Sequence, residues 1–202
     1  MTPERSPERD AAIEAMLPLV GIQGWTLATL TEAAGPDADL LFPGGAADMV
    51  EAYCDLADRW MEQDAAALDL AGLRTPDRVR EVVAARFARN APFKPAVRRA
   101  LGVLAMPGRG VLAARCTART VDTVWHAAGD RSADFSWYTK RATLAAVYGA
   151  TMLFWLRDDS EGGADTLAFL ERRLAGVGRI GRLRARLPKL RARKMEGDAQ
   201  FS

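Results

Sequence analysis

Few side chains in this sequence stand where catalysis would need them. The sole histidine, His126, follows Trp125 in a helical pattern and has no motif partner. No nucleophile or carboxylate stands at a working spacing to mark it as a general base, and it reads as an ordinary hydrogen-bonded helix histidine. No nucleophile elbow, phosphate loop or paired-carboxylate spacing occurs. The two cysteines, Cys54 and Cys116, lie 62 residues apart within helical patterns, with no CxxC or Cys/His ligand spacing. They read as buried free thiols, so neither a disulfide framework nor a zinc site is expected. The expectation is a protein that is not an enzyme and needs no metal and no cofactor.

The chemistry the sequence can do is that of binding. Residues 172 to 195 hold ten basic residues and no acidic one, and removing those ten from a net charge of +2 leaves the rest of the chain at −8. From Val177 the apolar residues Val177, Ile180, Leu183, Leu187 and Leu190 recur at spacings of three and four, with arginines such as Arg182 and Arg186 between them. That is one helical stripe. It fits an amphipathic helix on an anionic membrane surface, and equally a helix packed on the acidic body or a solvated tail. Nucleic acid is a poorer partner, because no aromatics are interleaved with the bases.

A second binding feature is the stretch 142 to 156, fifteen residues without a charge. A membrane-spanning helix needs about 20, so this reads as a helix buried on most sides, filling a core or lining an apolar cavity. Leu144, Val147, Tyr148, Met152 and Trp155 share one face of it. Just upstream, Trp137 and Tyr138 are adjacent and diverge by about 100° on a helix. One of them is therefore expected at the surface, near Asp134 and Arg141, either as an interface anchor or as an ordinary core aromatic.

The elements that position these groups are helical throughout. Apolar residues recur with a helical period, and no sustained strand alternation appears. Ile13, Met16, Leu17 and Val20 mark a helix over 8–21 closed by Gly21 and Gly24, and Thr26 can cap a second helix through Ala34. Residues 37 to 42 make one further turn at most, before a long helix over 46–69 with Met49, Tyr53, Leu56 and Trp60 on one stripe. Thr75 is expected to cap a helix whose buried face is Val79, Val82, Val83 and Phe87. Pro92 and Pro95 break the chain before a helix through Ala105; later helices are expected over 109–128, 137–156 and 164–175.

The first 45 residues have the layout of a helix-turn-helix lobe and resemble the N-terminal lobe of TetR-type regulators. Yet from Asp10 to Asp58 there are nine acidic residues and no Lys or Arg. Phosphate neutralisation supplies most of the affinity of a DNA reader. Gly35 to Phe42 spans only seven residues, about one turn short of the regulators' recognition helix. The lobe therefore reads as degenerate.

The stretch "TVDTVWHAAGDRSADFSWYTKRATLAAVYGATMLFWLRDDSEGGADTLAFLERRL" (120 to 174) closely resembles the signature region of the coenzyme Q biosynthesis accessory family known as ubiquinone biosynthesis protein nine. The resemblance rests on W-H-x-A-G-D-x-S-x-D-F-x-W-Y-T-K-R followed by D-T-x-x-F-L, and continues more loosely to the N-terminus. It implies a TetR-like, all-helical homodimer that binds an isoprenoid quinone or other lipid and engages a membrane through its C-terminal amphipathic helix. It also implies a surface that meets the demethoxyubiquinone hydroxylase, which carries over by motif onto Val124, Asp134, Trp137 and Tyr138.

The sequence thus leads to an all-α, TetR-like fold: a degenerate helix-turn-helix lobe over 1–45, a helical lipid-binding core over 46–176 and a membrane-binding tail over 177–202. The expected function is a lipid-binding accessory role in ubiquinone biosynthesis, presenting a quinone intermediate to the hydroxylase. A TetR-like regulator with a small hydrophobic ligand is the alternative. Because "MTPERSPERD" has no apolar run and carries three acidic residues, it reads as neither a secretory signal nor a mitochondrial transit peptide, and the expected location is the bacterial cytoplasm, peripheral on the inner membrane, with an already trimmed protein as the alternative.

Overall fold

A computed structural model describes residues 3–130 and 136–176. Asp134 and the whole stripe of Val177, Ile180, Arg182, Leu183, Arg186, Leu187 and Leu190 lie outside the described residues. All regular structure among the described residues is helical: α1 (Pro7–Gln23), α2 (Leu27–Ala34), a 3-10 turn (Pro36–Leu41), α3 (Ala46–Ala66), α4 (Thr75–Asn90), α5 (Lys94–Leu104), α6 (Gly110–Ala127), α7 (Ser136–Trp155) and α8 (164–176).

The first three elements keep the helix-turn-helix outline. Ser6 caps α1 by accepting from the Arg9 amide, and Thr26 caps α2 by accepting from the Thr29 amide. α1 runs through Gly21, expected to end it, and stops at Gly24, whose φ of 88° suits glycine. Gly21 has a different purpose. A Cβ there would come within 2.9 Å of the Pro95 Cβ, so its missing side chain lets α1 lie close against α5. Where a regulator would carry its recognition helix, this chain has only the 3-10 turn, with Asp37 and Asp39 exposed.

α3 is the axis of the molecule and packs against α1, α4, α5 and α6, while α7 lies against α6. The apolar core is continuous from Ile13 in α1 to Leu170 in α8. The stripes at Ile13–Val20, at Met49–Trp60 and at Val79–Phe87 are all buried, as burial of the amphipathic face requires. Two starts differ from expectation. Thr75 is already helical, Arg74 stands at the cap without a side-chain bond, and Pro95 is the second residue of α5 rather than a break in the chain. Pro76 in α4 and Pro95 in α5 both lie in the first helical turn, where the missing N–H costs nothing.

α3 also gathers charge. Asp55 accepts from Arg5 at 2.8 Å and Arg59 at 3.2 Å, Glu51 from Arg115 at 2.8 Å, and Asp58 from Arg86 at 2.6 Å. Asp10 pairs with Arg59 and Asp48 with the buried Arg9, which also bonds the Leu41 carbonyl and lies over the Phe42 ring. Five of the nine acidic residues counted between 10 and 58 are therefore neutralised internally. The remainder (Glu14, Glu32, Asp37 and Asp39) are exposed on the lobe, and Arg9, the nearest base upstream, is spent inside it.

Candidate functional site

Helices α3 to α7 enclose a mostly apolar cavity of about 300 Å³, at the small end of the range for ligand pockets. Val97 and Leu101 of α5 face Met152 and Leu153 of α7 across it. Phe87 stacks between Tyr148, at 5.9 Å, and Trp155, at 5.2 Å, which makes one wall aromatic.

Part of the buried lining of this cavity is polar. Arg86, on the buried face of α4, donates from Nη1 to Asp58 at 2.6 Å and from Nε to the Tyr148 hydroxyl at 2.8 Å. Asp58 also accepts from the Thr120 hydroxyl at 2.8 Å and from Arg119 at 3.2 Å. Tyr53 donates to Asn90 at 2.6 Å, and Asn90 donates to the Arg86 carbonyl. Burial raises the ionisation of both Tyr53 and Tyr148 above the usual phenol range, so both stay neutral hydrogen-bonding groups. A buried ion pair of this kind persists only when its remaining hydrogen-bonding capacity is met, and the surrounding Thr120, Arg119 and Tyr148 meet it.

Cys54 and Cys116 line the same cavity, each one helical turn before Asp58 and Thr120 respectively. The neighbouring Cys116 thiol and burial push the Cys54 thiol up, whereas the Cys54 thiol and nearby Arg119 pull Cys116 down. Both are free thiols as expected, Cys116 buried and Cys54 half-buried.

The five side chains expected to line one wall are divided. Tyr148, Met152 and Trp155 face the main cavity, whereas Leu144 and Val147 face a separate hollow of about 260 Å³ beside Val79, Trp125 and Leu174. α7 is apolar on most of its circumference, so its residues are shared between two neighbours rather than turned to one.

The motif surface forms around the start of α7. Trp137 and Tyr138 meet edge to face at 4.7 Å, and the Arg141 guanidinium lies 3.8 Å over the Trp137 ring. Arg141 is held by Asp122 at 2.6 Å, and Lys140 pairs with Asp130. Trp137 is half-buried and Tyr138 is 74% exposed, so Tyr138 presents the aromatic surface. Val124 does not join them: it is 1% exposed and packs in the core. His126 is exposed on α6. In the downstream D-T-x-x-F-L motif, the Thr166 amide and hydroxyl both donate to Asp158, and Leu170 is fully buried. Against burial, these bonds and those from Ser160 hold the Asp158 carboxyl well below the usual carboxylate range.

The network of Arg86, Asp58, Thr120 and Tyr148 was not anticipated from sequence, though a signal was present. Arg86 falls within the apolar stripe of Val79, Val82, Val83 and Phe87, and a cation there needs a buried carboxylate.

A family model described as COQ9 matches residues 111–181. The chain is 30% identical over 181 residues to the human protein "Ubiquinone biosynthesis protein COQ9, mitochondrial", covering 84% of this chain and 57% of that one. It is 38% identical over 103 residues to the protein of the same name from Xenopus tropicalis, covering 51% of this chain and 32% of that one. The chain thus spans from about a third to little more than half of the length of these relatives. Among solved structures, it resembles the TetR transcriptional regulator from Nitrosomonas europaea ATCC 19718 with a TM-score of 0.68, at 24% identity, over 84% of this chain and 97% of that one. The likeness shows the TetR-like fold expected from sequence, and the COQ9 matches bear out the family resemblance. The expected bacterial cytoplasmic location is overturned, because the matched relatives are eukaryotic proteins named as mitochondrial. That expectation rested on ten N-terminal residues, whose make-up does not fix a compartment.

Proposed function

We propose that this chain acts in ubiquinone biosynthesis as a COQ9-type accessory protein, not as a catalyst, taking an isoprenoid quinone intermediate into the α3–α7 cavity and presenting it at a membrane surface. The observation that carries this reading is that cavity, apolar and aromatic along its walls, within a chain whose residues 111–181 match the COQ9 model. A prenyl chain loses about 0.8 kcal/mol for each methylene moved from hydrocarbon into water, so a carrier needs an apolar interior of this kind. Tyr148, Met152 and Trp155 serve as ligand contacts, and Leu144 and Val147 as lining of the adjoining hollow.

Presentation takes place at the demethoxyubiquinone hydroxylase, which docks on the exposed ring of Tyr138 and on Trp137 beneath Arg141. Asp134 belongs to this surface by sequence position, and Val124 supports it from the core. The basic, amphipathic residues 177–195 hold the protein on the membrane, each engaged base contributing about 1 kcal/mol. The protein works as a homodimer. The exposed acidic face of the N-terminal lobe favours this reading over that of a DNA-binding regulator.

Native mass spectrometry and lipid extraction of the purified full chain test the proposal. Co-purifying isoprenoid or phospholipid is the expected result. Lipid-free protein that takes up nothing from quinone-loaded vesicles would overturn it.

A further inference from the structure

The polar groups of the α3–α7 cavity belong to its buried lining, beside Phe87 and Trp155, and the lining that reaches solvent is mainly apolar. Tyr53, Arg86, Asn90, Thr120 and Tyr148 are all buried, whereas Leu101, Leu104 and Met152 are half-buried and Leu153 is 62% exposed. An amphiphile that left its polar head in solvent would put its chain against these buried polar groups. Polar groups confined to the buried lining favour the opposite orientation.

Two hydrogen-bond donors of that buried lining are unspent. The Tyr148 oxygen accepts from Arg86 Nε at 2.8 Å, so its own O–H proton points elsewhere, and no acceptor for it exists among the described residues. Arg86 uses Nε on Tyr148 and Nη1 on Asp58, which leaves Nη2 without an acceptor among the described residues. Tyr148 is 7% exposed and Arg86 is 6% exposed, and both line the cavity. Buried donors are nearly always paired, and leaving one unpaired costs more than a formed bond gains. Asp58, at 2.6 Å from Arg86, already balances the guanidinium, so these donors call for an uncharged oxygen rather than a carboxylate. The Phe87, Tyr148 and Trp155 rings add a wall suited to a flat ring.

We infer that Tyr148 and Arg86 form a carbonyl-binding subsite, into which a quinone ring enters head first while its chain lies along the apolar lining of Leu101, Leu104 and Leu153 towards the opening. This rests on the proposed lipid-carrier function and adds to it the orientation of the ligand and the residues that recognise its head. Burial keeps the Tyr148 phenol protonated across the neutral range, so the donor is present at any working pH.

The test compares the full-length wild type with Tyr148→Phe. The probes are decylubiquinone, a quinone ring with a ten-carbon chain, and farnesane, an isoprenoid hydrocarbon with no head. Tyr148→Phe should weaken decylubiquinone binding about five- to tenfold, the effect of one buried hydrogen bond, and leave farnesane competition unchanged. The infrared carbonyl band of bound decylubiquinone should lie below its position in hydrocarbon in the wild type and return towards it in the variant. Equal decylubiquinone affinity in the two proteins, with an unshifted carbonyl band, would overturn the subsite while leaving the carrier function standing. Failure of the wild type to bind either probe would overturn both. If Tyr148→Phe does not fold, the wild-type band decides alone: shifted supports the subsite, unshifted refutes it.

Discussion

Replacing Asp58 by Ala should cost this protein much of its stability, and the magnitude follows from what the carboxylate holds. Its two oxygens accept from Arg86 at 2.6 Å, Thr120 at 2.8 Å and Arg119 at 3.2 Å. Arg119 keeps Glu51 and Asp55 as partners, so its loss is minor. Thr120 loses one buried hydrogen bond, about 1 kcal/mol. Arg86 is left as a buried cation with only the Tyr148 oxygen, and stripping one partner from a buried pair costs about 3–5 kcal/mol. The sum, about 5 kcal/mol, is a large part of the 5–15 kcal/mol typical of a folded domain. At a urea slope of about 2 kcal/mol per molar, the unfolding midpoint should fall by roughly 2.5 M. Urea denaturation followed by far-ultraviolet circular dichroism measures it. The double variant Asp58→Leu with Arg86→Met should recover at least half of the loss, because a buried pair can be exchanged for apolar packing at little cost. A single-variant loss below about 1 kcal/mol, or a double variant no better than the single one, would refute the view that this network is a buried, mutually dependent unit.

Asp158→Asn should destabilise the start of α8 by about 1–2 kcal/mol. Because hydrogen bonds depress the folded carboxyl, the wild-type advantage should be full above the unfolded value of about 4 and disappear as pH falls below it; a difference unchanged from pH 6 to pH 2 would contradict the assignment. Leu183→Glu with Leu187→Glu should abolish flotation with anionic liposomes while the helical circular dichroism of residues 3–176 persists; continued flotation would refute the tail's role. Tyr138→Ala, at a position 74% exposed, should leave the unfolding midpoint within about 0.5 kcal/mol of wild type and reduce co-precipitation of the hydroxylase; undiminished recovery would remove Tyr138 from the docking surface.

The helices were legible in the sequence because each buries one stripe at a helical period, as Ile13, Met16, Leu17 and Val20 do in α1. Helix ends were less so. Gly21 looks like a stop until Pro95 is seen to lie against it, a contact between residues far apart in the chain. The charge count over 10–58 was correct as a sum and incomplete as a surface, since partners of Asp55 and Asp58 come from the segment before α1 and from α4 and α6. The polar lining of the cavity was hidden for the same reason: Arg86 reaches Asp58 across 28 residues and Tyr148 across 62. On α7, a helix apolar on most sides offers no sequence signal for which residues face which neighbour, so Leu144 and Val147 could not be separated from Tyr148 and Met152. The motif of Trp137 and Tyr138 was visible as residue types, but only the fold shows that Tyr138 is the exposed member and Val124 an inward one.

The central claim is that the α3–α7 cavity carries the lipid. Photo-crosslinking the full chain with a short-chain quinone bearing a diazirine on its tail, followed by peptide mass spectrometry, tests it directly. The adducts should fall on residues of α5 and α7 that line the cavity, Leu101, Met152 and Leu153 among them, and should be competed away by unlabelled quinone. Adducts confined to residues 177–195 or scattered without competition would place the lipid outside the cavity and contradict the account.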